Sequence, residues 1–301
     1  MMVDHCRAAL VAAQRYAAAT RAAVRAMVWV DGRLCADAID QHQRAVHGYA
    51  WVETTVHALS ALLDWADAVA RDRPLNAGET ALLSISFGEG IAQLIGGLPM
   101  GQNEILRPAD MGTAHAAREL ADATAHAPGN TAAARAQLVA HIRDGGTISD
   151  GLGDDALDQI RQQYRRFTDE RIIPHAHGWH RANALIPDGT IADMAALGTF
   201  GVCIGEEFGG LGLGKLVMCV VTEELSRGWI GAGSLGTRSE IAGELIAQGG
   251  TREQQAYWLP RIAAGQVLPT AVFTEPDTGS DMANLQTRAT QGADGAWSIT
   301  G

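Results

Sequence analysis

Residues 209–216 read GGLGLGKL, and Lys215 in this stretch is the only lysine among the 301 residues. Glycine, four residues, glycine and lysine almost reproduce the loop that holds phosphates in nucleotide hydrolases. That loop also needs a serine or threonine after the lysine, because its hydroxyl ligates magnesium. Here Leu216 comes next, and Glu206 and Glu207 would repel phosphates. The stretch is therefore interpreted as a tight turn that leads into a helix at Lys215.

Composition favours a packed and mainly helical protein. Hydrophobic residues make up 47% of the chain and charged residues 19%, which supplies enough apolar surface for a core. Alanine is abundant and has the highest helix propensity, so mainly α structure is expected. The formal net charge of −11 argues against general nucleic-acid binding, which needs a basic surface. It still allows an anionic cofactor, because helix dipoles and a few arginines can bind phosphates.

The cysteines and histidines do not have the spacing of a metal site. The four cysteines lack a C-x-x-C pair and predict reduced thiols in a cytoplasmic protein; they are Cys6, Cys35, Cys203 and Cys219. His175, His177 and His180 have no carboxylate or cysteine within a few residues, so they are interpreted as the exit of a helix that ends at Pro174. No apolar run reaches the roughly 18 residues of a membrane span.

Periodicity along residues 1–145 predicts a bundle of helices. The predicted helices cover residues 3–30, 36–71, a segment from Asn76 to Gly96, and about 111–143. Asn76 and Glu79 have the spacing of a capping box at the start of the third helix. The amino-terminal stretch contains four arginines among alanines. It is interpreted as the first helix of this bundle rather than as a transit peptide.

A glycine- and aspartate-rich segment, residues 143–155, separates this bundle from the rest of the chain. The predicted domains are residues 1–145, a helical extension; residues 146–266, a second helical domain; and residues 267–301, the start of a β-domain. In the second domain GVCI (201–204) is predicted as a short strand, and helices are predicted from Leu157 to Pro174 and over 188–197, 215–227, 238–248 and 252–264. Predicted β-strands are LPTAVFT (268–274), LQTRAT (285–290) and AWSIT (296–300), with a turn at 292–295.

The loop FTEPDTGSD (273–281) comes directly after the first of these predicted strands. It offers the hydroxyls of Thr274, Thr278 and Ser280 together with backbone N–H groups, a donor set suited to a polar ring edge and a phosphate. On local chemistry alone an ordinary hairpin loop remains the better interpretation. The residues therefore leave two alternatives open at this point.

Four stretches resemble the amino-terminal half of the acyl-CoA dehydrogenase family, in that family's order. They are EEFGGLGLG (206–214), TEELSRG (222–228), GGTREQQAYWLPRIAAGQ (249–266) and AVFTEPDTGSDMANLQTRA (271–289). The resemblance covers about half of the chain. It implies a helical domain followed by a β-domain and then a four-helix bundle, with FAD between the last two, usually in a homo-oligomer. It also implies that the glycine-rich loop binds no nucleoside triphosphate.

The resemblance implies a role for each residue of the 272–280 corner. Val272 to Ser280 would lie against the flavin, with the backbone N–H groups of Phe273 and Thr274 and the Thr274 hydroxyl on its pyrimidine edge. Ser280 would reach the FAD pyrophosphate and border the acyl-CoA channel, and Gly279 would allow close approach. Glu275 and Pro276 would shape the turn. The base is a glutamate of the carboxy-terminal half in this family, so no catalytic base is assigned to these residues.

The implied activity is FAD-dependent desaturation of an acyl-CoA thioester, with electron-transferring flavoprotein as the usual electron acceptor. The presence of the extension, together with the sequences of residues 234–246 and 270–281, most resembles a member of the family that acts on a short branched dicarboxylyl-CoA. The alternative is a truncated helical interaction module of the same family, whose residues 1–145 bind a partner. Residues 91–112 loosely resemble that family's own carboxy-terminal helices, although chance similarity among alanine-rich helices is the favoured explanation.

Overall fold

The computed structural model describes residues 2–127, 129–270 and 272–301. It divides into two compact units, Met1–Gly153 and Asp154–Gly301. Both consist mainly of helices, so the predicted mainly α fold is confirmed. Every helix among the described residues is either too short or too polar to span a lipid bilayer.

The first unit is a helical bundle with two small hairpins. Its elements are α1 (Met2–Val28), β1 (Trp29–Val30), β2 (Arg33–Leu34), α2 (Ala36–Gln41), α3 (Gln43–Asp72), α4 (Ala77–Gly96), β3 (Leu98–Pro99), β4 (Ile105–Leu106), a 3₁₀ turn (Pro108–Met111), α5 (Ala114–Ala123) and α6 (Ala132–Arg143). Strand β1 pairs with β2 and β3 with β4, both antiparallel. The predicted single helix over 111–143 is wrong. The chain between α5 and α6 contains Gly129, which disfavours a continuous helix, and Pro128, which lies outside the described residues.

Alanines on α1 let the helices of this unit pack closely. Ala9, Ala13 and Ala17 are buried on one face of α1, which packs against α3, α4 and α5. Tyr16 and Phe87 are the largest side chains buried in this core. Because the buried positions of α1 recur every three or four residues, the helix buries one continuous stripe, as its sequence period predicts.

The predicted capping box at the start of α4 is confirmed, and it belongs to a larger arrangement around Glu79. The Asn76 side chain accepts from the Glu79 N–H at 2.9 Å, and the Glu79 carboxylate accepts from the Asn76 N–H at 2.9 Å. The same carboxylate accepts from the Ser149 N–H at 2.9 Å and from both Arg73 Nη atoms at 2.7 Å. The Glu79 side chain is fully buried. The Arg73 guanidinium, followed by the two backbone donors, holds the pKa of Glu79 at about 2.

Replacement of Glu79 by glutamine is expected to lower the stability of this unit by about 2 kcal/mol near neutral pH, because buried donors lose a charged acceptor. The folded-state pKa of Glu79 lies below its ordinary value of 4.5. Its contribution is therefore present above about pH 4.5 and lost as the pH falls toward about 2. Thermal unfolding of wild type and variant across this range should show two curves that converge in acid. Glu119→Gln on the exposed face of α5 is the control, and an equal effect from it would contradict this role.

The second unit consists of helices followed by one β-hairpin. Its elements are α7 (Asp155–Phe167), a π turn (Thr168–Ile172), α8 (Ile173–Arg181), α9 (Asp188–Ala196), 3₁₀ turns (Thr199–Gly201 and Glu206–Phe208), α10 (Lys215–Gly228), α11 (Ile230–Gly249), α12 (Arg252–Ala263), a 3₁₀ turn (Met282–Asn284), β5 (Arg288–Gln291) and β6 (Trp297–Thr300). Helix α10 packs against both α7 and α11 around Tyr164, Met218 and Leu225.

The predicted helix end at Pro174 is wrong. The helical path continues through the π turn into α8, which ends at Arg181, so His175 and His177 lie within a helix and His180 lies in its last turn. Pro174 occupies the first turn of α8, where its missing N–H costs little. The π turn that precedes α8 changes the spacing of the backbone hydrogen bonds from i to i+4 to i to i+5.

Two strand predictions in this unit are also wrong. Residues 201–204 form a turn, and residues 268–274 form no strand among the positions described, Ala271 lying outside them. The predicted strands near 285–290 and 296–300 are present as β5 and β6, paired antiparallel from Arg288 opposite Thr300 to Gln291 opposite Trp297. Gly295 in the connecting turn has a φ of 79°, which glycine adopts freely.

Candidate cofactor site

The glycine-rich loop does not present its backbone to a phosphate. The N–H groups of Leu211, Gly212 and Leu213 donate to the carbonyls of Gly201, Ile204 and Val202 at 2.8–2.9 Å. The N–H groups of Gly209 and Gly210 donate to the carbonyls of Glu206 and Gly205. A phosphate loop needs these amides free. The loop therefore binds the 201–204 turn, which also explains why GVCI is not a strand.

The loop from Val272 to Ser280 lies at the surface after α12. Val272 is 83% exposed, and Thr274, Gly279 and Ser280 are exposed as well. A short antiparallel bridge joins Glu275 and Thr278, whose N–H groups each donate to the other's carbonyl. Within residues 272–301, neither the Thr274 nor the Ser280 hydroxyl has a hydrogen-bond partner, and the N–H groups of Phe273 and Thr274 have no acceptor.

Thr278 differs from the other two hydroxyl residues. Its side chain is buried, and its backbone is engaged in the bridge with Glu275. The donors without a partner within residues 272–301 are therefore the N–H groups of Phe273 and Thr274 and the hydroxyls of Thr274 and Ser280. A Cβ built at Gly279 would meet nothing within 4 Å, so a ligand has room to approach the backbone there. Donors of this kind suit a polar ring edge and a phosphate.

Glu275 fastens this loop to the start of β5. Its carboxylate accepts from the Gln286 N–H at 2.8 Å, from the Thr287 N–H at 2.8 Å and from the Thr287 hydroxyl at 2.6 Å. The Thr287 hydroxyl, then these two backbone donors, lower the pKa of Glu275. A carboxylate with a lowered pKa is a poor base at neutral pH. Sequence reasoning missed Thr287, because its partner lies 12 residues away.

Replacement of Glu275 by alanine is expected to release the loop without unfolding the helices. The Gln286 and Thr287 amides should then exchange with solvent about tenfold faster or more, because each loses its acceptor. Hydrogen exchange followed by mass spectrometry of peptides from residues 272–291 measures this. Asp277→Ala in the same turn is the control, since Asp277 is exposed. Unchanged exchange in Glu275→Ala would show that the carboxylate does not hold the loop.

The histidines near Pro174 form no metal centre in the part of the chain that the structure describes. No group of three or more histidine, cysteine or acidic side chains comes together there with the proximity of a metal site. His175 instead packs against Trp179, with ring centroids 5.5 Å apart, and Trp179 packs against Trp229 at 5.2 Å. These rings form part of the apolar packing between α8 and the start of α11.

Comparison with known proteins identifies the family to which this fold belongs. The model of the acyl-CoA dehydrogenase N-terminal domain matches residues 154–266. The (2S)-methylsuccinyl-CoA dehydrogenase of Cereibacter sphaeroides is 48% identical over 289 residues, which cover 93% of this chain and 52% of that protein. The chain belongs to the acyl-CoA dehydrogenase family. The matched range coincides with α7 to α12 of the second unit.

Other members of the acyl-CoA dehydrogenase family match a shorter part of the chain. The mitochondrial isovaleryl-CoA dehydrogenase of Solanum tuberosum is 33% identical over 141 residues, or 46% of this chain and 34% of that protein. A solved glutaryl-CoA dehydrogenase of Mycobacterium smegmatis in complex with FADH2 is 30% identical, with a TM-score of 0.44, and the match covers 49% of this chain and 38% of that one. The chain spans about half the length, or less, of the curated relatives it matches.

Proposed function

We propose that this chain is the amino-terminal portion of an FAD-dependent acyl-CoA dehydrogenase that converts (2S)-methylsuccinyl-CoA to mesaconyl-CoA. The observation that carries the proposal is the extent of the match to the C. sphaeroides protein. At 93% of this chain, that match includes most of both units. The isovaleryl-CoA dehydrogenase match covers only 46%. The match to the methylsuccinyl-CoA enzyme therefore includes the helical extension, which the isovaleryl-CoA dehydrogenase match does not cover. This difference favours methylsuccinyl-CoA as the substrate.

The donor set of the 272–280 loop fits FAD. The Thr274 hydroxyl and the N–H groups of Phe273 and Thr274 would hold the polar edge of the flavin ring, and Ser280 would donate to the pyrophosphate. Their lack of partners within residues 272–301 leaves these donors available to a ligand. When bound, the flavin supplies the oxidant that accepts a hydride from the β-carbon of the thioester. Donors at the ring edge stabilise negative charge there, which makes the ring a better oxidant.

Substitution of Ser280 by alanine is expected to weaken FAD binding by about tenfold, because a hydrogen bond to a charged phosphate is worth about 1.5 kcal/mol. The measurement is fluorescence titration of the full-length apoprotein with FAD. Ser298→Ala is the control, since Ser298 is an exposed serine on β6 of the adjoining hairpin. Equal affinities for the two variants would remove Ser280 from the FAD site.

The activity is tested on the full-length protein that contains these residues. A yellow protein whose flavin is bleached by (2S)-methylsuccinyl-CoA, with mesaconyl-CoA as product, supports the whole proposal. A protein that cannot be reconstituted with FAD would overturn the flavoenzyme assignment. Bleaching by isovaleryl-CoA or glutaryl-CoA in place of methylsuccinyl-CoA would keep the enzyme class and overturn the substrate.

We also propose electron-transferring flavoprotein as the electron acceptor, a homo-oligomeric assembly, and a cytoplasmic location. The support for the acceptor and the assembly is membership of the acyl-CoA dehydrogenase family, and the support for the location is that the methylsuccinyl-CoA relative is a bacterial enzyme. Reoxidation of the substrate-reduced enzyme by electron-transferring flavoprotein tests the acceptor. Light scattering of the full-length protein tests the assembly.

A further inference from the structure

Lys215 is the only side-chain amine in these 301 residues. Lysine and arginine together number 23, and the other 22 are arginines, whose guanidinium stays protonated and does not act as a nucleophile. An acyl-CoA thioester forms a stable amide with a neutral lysine amine. If the chain acts on acyl-CoA thioesters, as proposed above, Lys215 is the one side chain at which such a reagent could acylate it permanently.

The Lys215 ammonium is held by two carboxylates of the neighbouring helix. Lys215 begins α10, and its Nζ donates to Glu240 Oε1 and, at 3.0 Å, to Glu244 Oε2. Both acceptors lie on α11, one helical turn apart. The Lys215 side chain is 60% exposed, so a thioester in solution can reach it.

The charges around Lys215 favour its protonated form. Hydrogen bonds to Glu240 and Glu244 raise the pKa of Lys215, and the Lys215 ammonium lowers the pKa of Glu244. Glu244 also accepts a hydrogen bond from Gln248. On the facing turns Cys203 and Glu207 line the same cavity as Glu240 and Glu244, and burial followed by the Glu240 charge raises the pKa of the Cys203 thiol. Cys219 contributes a second thiol from α10.

We propose that Glu240 and Glu244 protect Lys215 from acylation by CoA thioesters. In the reaction that they suppress, the neutral amine nitrogen attacks the thioester carbonyl, a C–N bond forms and the C–S bond breaks. The CoA thiolate leaves and takes up the proton released by the amine, so no oxidant or reductant is needed. An ammonium has no lone pair and cannot begin this attack.

Acylation of Lys215 would also remove its ion pairs between α10 and α11. The amide carries no charge, so Glu240 and Glu244 would be left as like charges four residues apart on one helix, an unfavourable arrangement. Glu240 is only 13% exposed and could not become fully hydrated. Protection of the amine therefore also preserves the ion pairs between these two helices.

The test measures acylation of the full-length protein by acetyl-CoA at about pH 8. The variants are Glu240→Gln/Glu244→Gln, Lys215→Arg, and Glu119→Gln/Glu253→Gln, which removes the same charge from exposed positions on α5 and α12. Neutral hydroxylamine first removes thioesters formed on Cys203 or Cys219. Mass spectrometry of the peptide that contains Lys215 then gives the rate at this amine, while Lys215→Arg reports reaction elsewhere, including the terminal amine.

The Glu240→Gln/Glu244→Gln variant is expected to acquire an acetyl group on Lys215 about fivefold faster than wild type, because ion pairs to a largely exposed lysine are weakened by water and each unit of pKa changes the neutral fraction tenfold. The exposed-charge control should react at the wild-type rate. Equal rates for wild type and the Glu240→Gln/Glu244→Gln variant would overturn the proposal. Glu240→Gln alone should give an intermediate rate, and a helical circular dichroism spectrum identifies a folded variant. A protein without FAD would refute the proposed function but leave this comparison of rates intact.

Discussion

Replacement of Glu224 by glutamine is expected to lower the opening free energy of the second unit by about 3 kcal/mol. The Glu224 side chain is 2% exposed and accepts hydrogen bonds from Arg165 at 2.6 and 3.1 Å and from Arg227 at 3.2 Å. Arg161, 9% exposed, lies 3.7 Å away. Removing one member of a buried ionic group costs about 3–5 kcal/mol. The lower end applies because Arg165 and Arg227 are 40% and 39% exposed and can regain water.

The adjacent residue supplies a matched control. Glu223 is 66% exposed and pairs with Arg161 at 3.0 Å. Glu223→Gln makes the same chemical change one position earlier and should cost about 1 kcal/mol or less. Hydrogen exchange of peptides from α7 and α10 measures both variants, since it reports opening of this unit rather than an average over two units. Similar losses for the two variants would show that the buried position of Glu224 is unimportant.

Substitution of Gly210 by alanine is expected to destabilise the glycine-rich loop by about 2–3 kcal/mol, the range for inserting a methyl group into packed structure. A Cβ at Gly210 would lie 2.0 Å from the Ile204 carbonyl oxygen and 2.5 Å from its carbonyl carbon. These are backbone atoms, so relief requires movement of the chain rather than of a flexible side chain. Ile204 is itself buried in the core beside α12.

Gly214 in the same loop is the control for Gly210. A Cβ there would meet nothing within 4 Å, and Gly214 has a φ of −77°, which alanine adopts readily. Gly214→Ala should therefore change stability by only a few tenths of a kcal/mol. Thermal unfolding together with hydrogen exchange of residues 199–216 distinguishes the two variants. A loss from Gly214→Ala as large as that from Gly210→Ala would contradict the close-approach explanation.

The surroundings of Glu224 and Gly210 give a structural role to two of the stretches that resemble the family, TEELSRG and EEFGGLGLG. TEELSRG contains Glu224 and Arg227, and its role in the structure is to bury one carboxylate between α7 and α10. EEFGGLGLG folds back onto the 201–204 turn through its own amides. Among the described residues, no hydrogen bond joins either motif to the loop from Val272 to Ser280. Their part in the proposed activity is to shape the domain that precedes that loop.

The residues proposed to bind FAD remain predictions. Resemblance assigned roles to Val272, Phe273, Thr274, Gly279 and Ser280, and the structure places them together on one exposed loop. The division of the chain at 145 and 266 is likewise a prediction. The hydrogen bonds from the Gln286 and Thr287 N–H groups to Glu275 could not be predicted from local sequence pattern, because contacts across a loop have no periodic signal.

The sequence by itself determined the mainly helical fold, the family, the capping box at Asn76 and the rejection of a triphosphate site, because each depends on spacing or on the chemistry of a single residue. Tertiary structure decided how the elements meet. The helical path continues past Pro174 through a π turn. The amides of the glycine-rich loop are hydrogen-bonded to the carbonyls of residues 201–204, and arginines surround Glu224. These outcomes depend on groups distant in sequence that satisfy one another's hydrogen bonds and charges once water is excluded, a condition that a local pattern does not encode.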